Sequence, residues 1–477
     1  MKNKSTVCTS VLNGDNKEVF GEEGIKDAYR KEFEERLRPR EMETGFEKIK
    51  TKTETLCKMV LDKCAQTKED PYTIEELNAV KKGLKKGKAT GLDMYPAEIF
   101  SEEGQVDNEL LPILNEIKTS LKPPSQWNKV GITCLYKNKG SRKDLKNYRG
   151  IFLTSVISKI HERLIMGRMK QTITENMSKL QAGGTQNRST YDQIFLLRSF
   201  ISHAKYIGKP LYLTLYDFKQ CFDNLWLDDA ILSLWKLGVN TDLLTMIYKL
   251  NEKSTITLKT PLGNTEEFDV PYICKQGTVL IPPMCSASVA ECCDEQKRGG
   301  ATIGSLTLRS LAFMDDLIGM NTVTKDVRDS HDCVTFYSKK KKAPLNEDKC
   351  IGMIINSKPP HPHPVLTINN KVMSIVEEAK YLGDMFNSKG DNEALLEDRK
   401  KKATRCLVSC WSECYIVTRG YKAIISLILL YKTVYLPTII FNSEAWDNLT
   451  GDDLKMLRVM QMKFLKKILH VPTSTPK

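Results

Sequence analysis

In the stretch LAFMDDLIGM, Leu311 to Met320, two adjacent aspartates stand between two apolar runs. Apolar β-type arms around a short polar centre predict an antiparallel hairpin with Asp315 and Asp316 at its tip. A carboxylate pair inside an apolar segment costs free energy unless something pairs with it. Well upstream, KPLYLTLYDF reads as a strand rich in aromatic and β-branched residues that closes at Asp217. If the two strands are neighbours in one antiparallel sheet, their ends bring three carboxylates together. Carboxylates so placed repel one another, and a hard divalent cation is the usual remedy. Mg²⁺ takes oxygen ligands, keeps waters and is shared with substrate phosphates; two such ions about 4 Å apart would activate a hydroxyl and stabilise a leaving pyrophosphate. An isolated Asp-Asp pair is usually no more than a polar turn, so order and context must carry the weight.

The context is a basic chain. A net charge of +13 and a sequence pI of about 8.9 favour a polyanionic partner without identifying one. With 477 residues, two or three subdomains are expected. The 14 cysteines are scattered, form no CxxC pair and follow no signal peptide, which points to free thiols in a reducing compartment. Cys406, Cys410 and Cys414 recur every four residues, a spacing read as a buried helical stripe rather than a metal site. The apolar run AIISLILLY at 423–431 is read as too short to span a bilayer, and lysines flank it. PPHPHP at 359–364 reads as a surface loop, so His361 and His363 are discounted as ligands.

Along the chain, residues 1–70 are charged and helix-prone, and IEELNAVKKGLKKGK (74–88) is an amphipathic helix ending in lysines and glycine. VGITCLYKNKG (130–140) is β-rich and SVISKIHERLIMGRMKQTI (155–173) is helical. KPLYLTLYDFKQCFDNL (209–225) starts as a strand and turns helical at Asp217. SKKKKAP (338–344) ends a helix in a basic turn, and from about 393 onward the reading is nearly all helix.

YLTLYDFKQCFDNL, CKQGTVLIPPM, LAFMDDLIGM, LNEDKCIGMII and KYLGDMF stand in the order of the palm motifs of reverse transcriptases. Upstream, KATGLDMYPAEIF, LKNYRGIFLTSVISKIHERLI and QAGGTQNRSTYDQIFLLR look like finger blocks, and downstream YKTVYLPTIIFNSEAW is similar to the segment after the palm. Over roughly residues 75–448 the chain resembles the reverse transcriptase of non-LTR (LINE-type) retrotransposons. The resemblance implies a mixed α/β (α+β) right-hand polymerase. Its parts would be a helical N-terminal extension at 1–74, fingers at 75–208, a βαββ palm at 209–392 and a helical thumb from 393 to 477.

Residue by residue, the resemblance implies that Asp217, Asp315 and Asp316 hold two Mg²⁺ ions, with Mn²⁺ able to substitute. Asp315 would be a direct ligand, and Asp316 would position the primer end. Phe222 would be the steric gate against a 2′-hydroxyl. Lys137 and Arg149 would hold the incoming triphosphate, where positioning and charge neutralisation do most of the catalysis. Gln276 and Gly277 match the loop beside template and nucleotide. Lys349 would protonate the leaving pyrophosphate, Tyr381, Leu382 and Gly383 form the primer-grip turn, and Arg188 would face the template. KKGLKKGK and SKKKK are candidate tracks for the duplex backbone, or solubilising faces. Partners would be an RNA template, a DNA primer and dNTPs, with no membrane involved. The implied location is intracellular, cytoplasmic with nuclear access.

The chain departs from the family pattern at three places: Met314 stands where Ala is more common, Ile281-Pro282 replaces Ser-Pro, and Gly184-Thr185 replaces an aromatic and a basic residue. No endonuclease segment is expected before residue 70 or after 448. The rival reading is a catalytically silent, RNA-binding remnant; a DNA-templated polymerase shares the same residues.

Overall fold

The structure is a computed structural model, describing all residues except 1–9, 64–68, 102, 103, 105, 223, 224, 273, 274, 276, 358–363, 418–420, 470 and 473–477, and excluding the side chains of 411, 413–417 and 421–423. His361, His363, Gln276 and the Cys414 side chain therefore lie outside the described residues. The chain divides into two compact units. The first comprises residues up to 186, 218–294 and 335–344; the second comprises 187–217, 295–334 and 345 onward. Helix and sheet are mixed, as the α/β reading expects.

In the first unit, strand Lys129–Tyr136 pairs antiparallel with Tyr148–Leu153 and parallel with Glu252–Thr260, which also pairs antiparallel with Phe268–Tyr272. The N-terminal stretch read as a helical extension contains a small hairpin, Ser10–Leu12 with Glu18–Phe20, and two helices, Glu22–Leu37 and Glu47–Asp62. Its first helix repeats apolar side chains every four residues. Ile25, Tyr29, Phe33 and Leu37 form one stripe that joins Val130, Ile132, Ile256 and Leu258 in a single core. Thr73 and Glu76 form a reciprocal capping box that starts helix Ile74–Lys82, which stops at Gly83 rather than running to residue 88. Helix Val156–Asn176 matches the predicted one.

The second unit is built on a five-stranded sheet with the order Ser310–Phe313, Asp316–Asn321, Leu211–Tyr216, Ile351–Ile355, Ser374–Ile375. Leu211–Tyr216 is central and antiparallel to both neighbours, with Leu317 opposite Tyr216 and Ile351 opposite Leu215. A separate hairpin pairs Glu378–Tyr381 with Asp384–Asn387. Helices Glu393–Val417, Tyr421–Leu430, Leu436–Ile439 and Gly451–Ile468 follow, sharing a core of Ala403, Cys410, Leu427, Tyr435, Ile439, Met460 and Phe464. Cys410 is in that core and Cys406 packs against it, with the two sulfurs 3.8 Å apart, as the stripe reading expects.

Two further expectations change. The segment after Asp217 is a turn, and helix begins only at Leu227, because Gln220 takes a left-handed φ of 50° that breaks a right-handed helix. The apolar run at 423–431 is also longer than it reads. A five-residue π-helical turn, Tyr431–Tyr435, absorbs the approach of Pro437 and carries the helix on to Ile439. By length and composition alone Ile424–Ala445 is sufficient to cross a bilayer, with a mean hydropathy of 1.9.

Candidate active site

The second unit gathers its acids by register. The central strand ends at Tyr216, delivering Asp217 to the same end of the sheet as the tip of the neighbouring hairpin. That tip is a two-residue turn, Met314-Asp315, between the paired residues Phe313 and Asp316. Met314 holds φ at 56°, a conformation that L side chains adopt rarely and that marks strain at the turn. Asp217, Asp316, Lys349, Lys380, Tyr381, Leu382 and Gly383 line one cavity of about 330 Å³. Asp315 is not in its lining, yet its carboxylate is electrostatically coupled to Asp217 and Lys349.

Burial raises the Asp315 carboxyl above its usual range, with Asp217 adding to the rise and Lys349 opposing it. Asp316 keeps solvent access at the cavity rim. The protein packed around it, followed by the negative charges of Asp315 and Asp217, pushes it up to about 6. Both carboxylates would be eased by added positive charge. Lys349 supplies part of it, its ammonium lying 3.2 and 3.3 Å from the two Asp217 oxygens. Among the described residues no three acidic, histidine or cysteine side chains are arranged to hold a metal ion without rearrangement.

Neighbours that the sequence did not flag fix Asp217. Its carbonyl accepts from Asn346 N–H at 2.7 Å, and its own N–H donates to the Cys350 sulfur at 3.3 Å. Cys350 stands inside the LNEDKCIGMII block without an assigned role, and burial pushes its thiol up to about 11, so it acts as a neutral packing partner. Arg188, also in this unit, lies 3.5 Å from Asp192 at the start of helix Thr190–Tyr206.

The first unit carries Lys137, Arg149, Phe222 and Gly277. Lys137 follows strand Lys129–Tyr136 and its ammonium donates to the Lys146 carbonyl at 2.9 Å; Arg149 is exposed on the adjacent strand, opposite Leu135. Phe222 is half-buried. Gly277 is exposed with φ at 94°, a backbone that glycine adopts without strain. The loop it opens is anchored by Lys275, which the sequence reading passed over. At 1% exposure its ammonium donates to the carbonyls of Trp127 and Leu250 and to Asn128 Oδ1.

With this geometry in hand, comparison with known proteins is decisive at the family level. Residues 136–386 match the model for "Reverse transcriptase (RNA-dependent DNA polymerase)". The chain belongs to the reverse transcriptase family. It is of the non-LTR, LINE type. Among its relatives is the RNA-directed DNA polymerase from mobile element jockey of Drosophila funebris, 23% identical over 421 residues, covering 84% of this chain and 44% of the relative. The probable RNA-directed DNA polymerase from transposon BS of Drosophila melanogaster is 29% identical over 170 residues, covering 35% of this chain and 19% of the relative. The transposon TX1 uncharacterized 149 kDa protein of Xenopus laevis is 22% identical over 294 residues, or 61% of this chain and 22% of the relative. This reverse transcriptase spans less than half the length of each. As a family, reverse transcriptases depend on divalent metal ions.

Proposed function

We propose that this reverse transcriptase adds deoxynucleotides to a DNA primer 3′-hydroxyl on an RNA template, using two Mg²⁺ ions for which Mn²⁺ can substitute. The observation that carries the reading is the meeting of Asp217 with the Asp315-Asp316 hairpin at one end of one sheet, beside the Tyr381–Gly383 turn. The donor chemistry fits the metal: the set is all oxygen, and burial followed by the repulsion of neighbouring acids raises the Asp315 and Asp316 carboxyls. Asp217 and Asp315 would hold the ions, and Asp316 would position the primer end. Ions held there would supply activation of the attacking hydroxyl and charge neutralisation on the triphosphate. Lys349, already on Asp217, holds the proton that the leaving pyrophosphate would need. Lys137 and Arg149 would neutralise the nucleotide's phosphates, Phe222 would close the space that a 2′-hydroxyl needs, and Gln276 with Gly277 would abut the template and nucleotide. Arg188 would meet the template.

On this reading residues 75–208 are fingers, 209–392 palm and 393–477 thumb, with residues 1–74 as an N-terminal extension. The apolar helical run from Ile424 then serves the bundle through Leu427, Tyr435 and Ile439, and no membrane takes part. A chromosomal target would require access to the nucleus.

One observation favours the rival, an RNA-binding remnant without catalysis: Lys349 neutralises Asp217, and no ready-made ligand set is present among the described residues. Extension of a DNA primer on an RNA template separates the two. Mg²⁺-dependent synthesis that disappears in Asp315→Asn is the expected result. Equal template binding by both proteins with no extension by either would favour the remnant.

A further inference from the structure

Behind the turn that walls the cavity lies a buried ionic cluster that the proposed chemistry does not use. Asp384, next after Gly383, has no solvent exposure, and Arg399 of helix Glu393–Val417 has 1%. The Arg399 guanidinium pairs with Asp384 Oδ1 and donates to the Phe441 carbonyl at 3.2 Å and to the Gly383 carbonyl at 3.4 Å. Arg198, from helix Thr190–Tyr206, lies 3.7 Å from the other Asp384 oxygen and donates to Asn392 Oδ1 at 3.0 Å. Lys402 donates to the Gly383 carbonyl at 3.3 Å, and the Asn442 amide to the Leu382 carbonyl at 3.5 Å.

Three side chains, Arg399 and Lys402 from one helix and Asn442 from the segment after Leu436–Ile439, therefore converge on the backbone of one turn, while Arg198 braces Asp384 beside it. That turn needs holding. Leu382 has φ at 45° and Gly383 at 93°, and a Cβ at position 383 would stand 2.9 Å from the Phe441 ring. A leucine in the left-handed region persists only where its surroundings over-determine it. Stability alone is a poor reason for two arginines on one buried aspartate, since apolar packing of similar volume often serves as well. Geometry is the better reason.

We infer that Arg399, oriented by Asp384, is a positioning residue that fixes the Leu382–Gly383 turn against the cavity and so sets where a primer 3′-end is seated. The inference rests on the primer-grip reading of Tyr381, Leu382 and Gly383. It adds that the grip is set from behind, by the helix Glu393–Val417, so that movement of this helix is transmitted to the primer terminus.

The test uses the full chain and a DNA primer carrying 2-aminopurine at its 3′-end, annealed to an RNA template. Terminal fluorescence reports seating without requiring catalysis, and electrophoretic mobility shift reports overall duplex binding. Arg399→Lys keeps the charge but loses the fork. Lys402→Met removes a half-exposed donor to the same turn and keeps the buried ion pair, so it covers the case in which Arg399→Lys fails to fold. Asp447→Asn, which loosens Arg198 on the side away from the turn, is the control. A small misplacement at a reacting centre has large effects, so half-saturation of the terminal signal should rise about tenfold in the two turn variants, with duplex binding within about twofold and the control unchanged. Unaltered seating in both turn variants, equal loss in the control, or no terminal signal in the wild type would overturn the inference. Normal seating effects in a wild type that never extends the primer would instead sink the polymerase reading and leave this one standing.

Discussion

Replacing His161 with leucine should flatten the acid side of the stability profile. The ring has no solvent exposure and sits edge-on to Tyr72 and Trp127, with centroids 5.7 and 5.5 Å away. Among the described residues neither ring nitrogen has a hydrogen-bond partner. Burial, reinforced by Lys118, drives its pKa from 6.5 down to about 3. The folded state thus keeps the imidazole neutral to about pH 3, whereas the unfolded chain takes up a proton below pH 6.5. Between those values the unfolded state binds more protons. The contribution is therefore complete above 6.5 and is lost as pH falls toward 3. At 1.36 kcal/mol per unit, the loss is about 2 kcal/mol at pH 5 and about 5 kcal/mol at the foot of the window. Urea unfolding at pH 8 and pH 5, followed by tryptophan fluorescence, measures it directly. Relative to the wild type, His161→Leu should gain about 2 kcal/mol on going from pH 8 to pH 5. At pH 8 it should be no less stable, since two unpaired buried nitrogens vanish. Parallel loss of stability in both proteins would refute the reasoning.

Further outcomes follow from the same kind of burial and geometry. Lys275→Met strands the Trp127 and Leu250 carbonyls and removes the positive charge that most stabilises the buried Glu162 carboxylate, so unfolding free energy should drop by about 3–5 kcal/mol in a urea titration. Phe222→Ala should raise ribonucleotide incorporation relative to deoxynucleotides by roughly tenfold or more in single-nucleotide extension, and unchanged selectivity would remove Phe222 from the gate role. Thr450→Ala breaks the reciprocal cap in which Asp453 N–H donates to the Thr450 hydroxyl at 3.2 Å and Thr450 N–H to the Asp453 carboxylate at 2.8 Å. It should cost about 1 kcal/mol, read as a lowered melting temperature.

What was legible in the sequence was local. Apolar arms around Asp315 and Asp316 marked a hairpin, and strand and hairpin both stand where they were expected, except that the turn is Met314-Asp315 and Asp316 already opens the returning strand. The core stripe Ile25, Tyr29, Phe33 and Leu37 is present in the spacing but went unread, because the surrounding charges hid it. Less visible was the break after Asp217. The segment carries helix-tolerant residues, and only the left-handed Gln220 and the delayed start at Leu227 interrupt it. Nothing in EDRKKKATR distinguished Arg399 from the charges around it, because its burial comes from the helices and the hairpin that close over it.

The sequence by itself determined the elements, the acids at their ends and the family that uses them, because side-chain periodicity and motif order are properties of neighbouring residues. Tertiary structure alone decided that Leu317 pairs with Tyr216, that Lys349 lies on Asp217 and that Asp384 is shared by two arginines. Those are contacts between segments far apart in the chain, set by register and packing. A carboxylate's charge can be read from its residue name, but the company it keeps cannot.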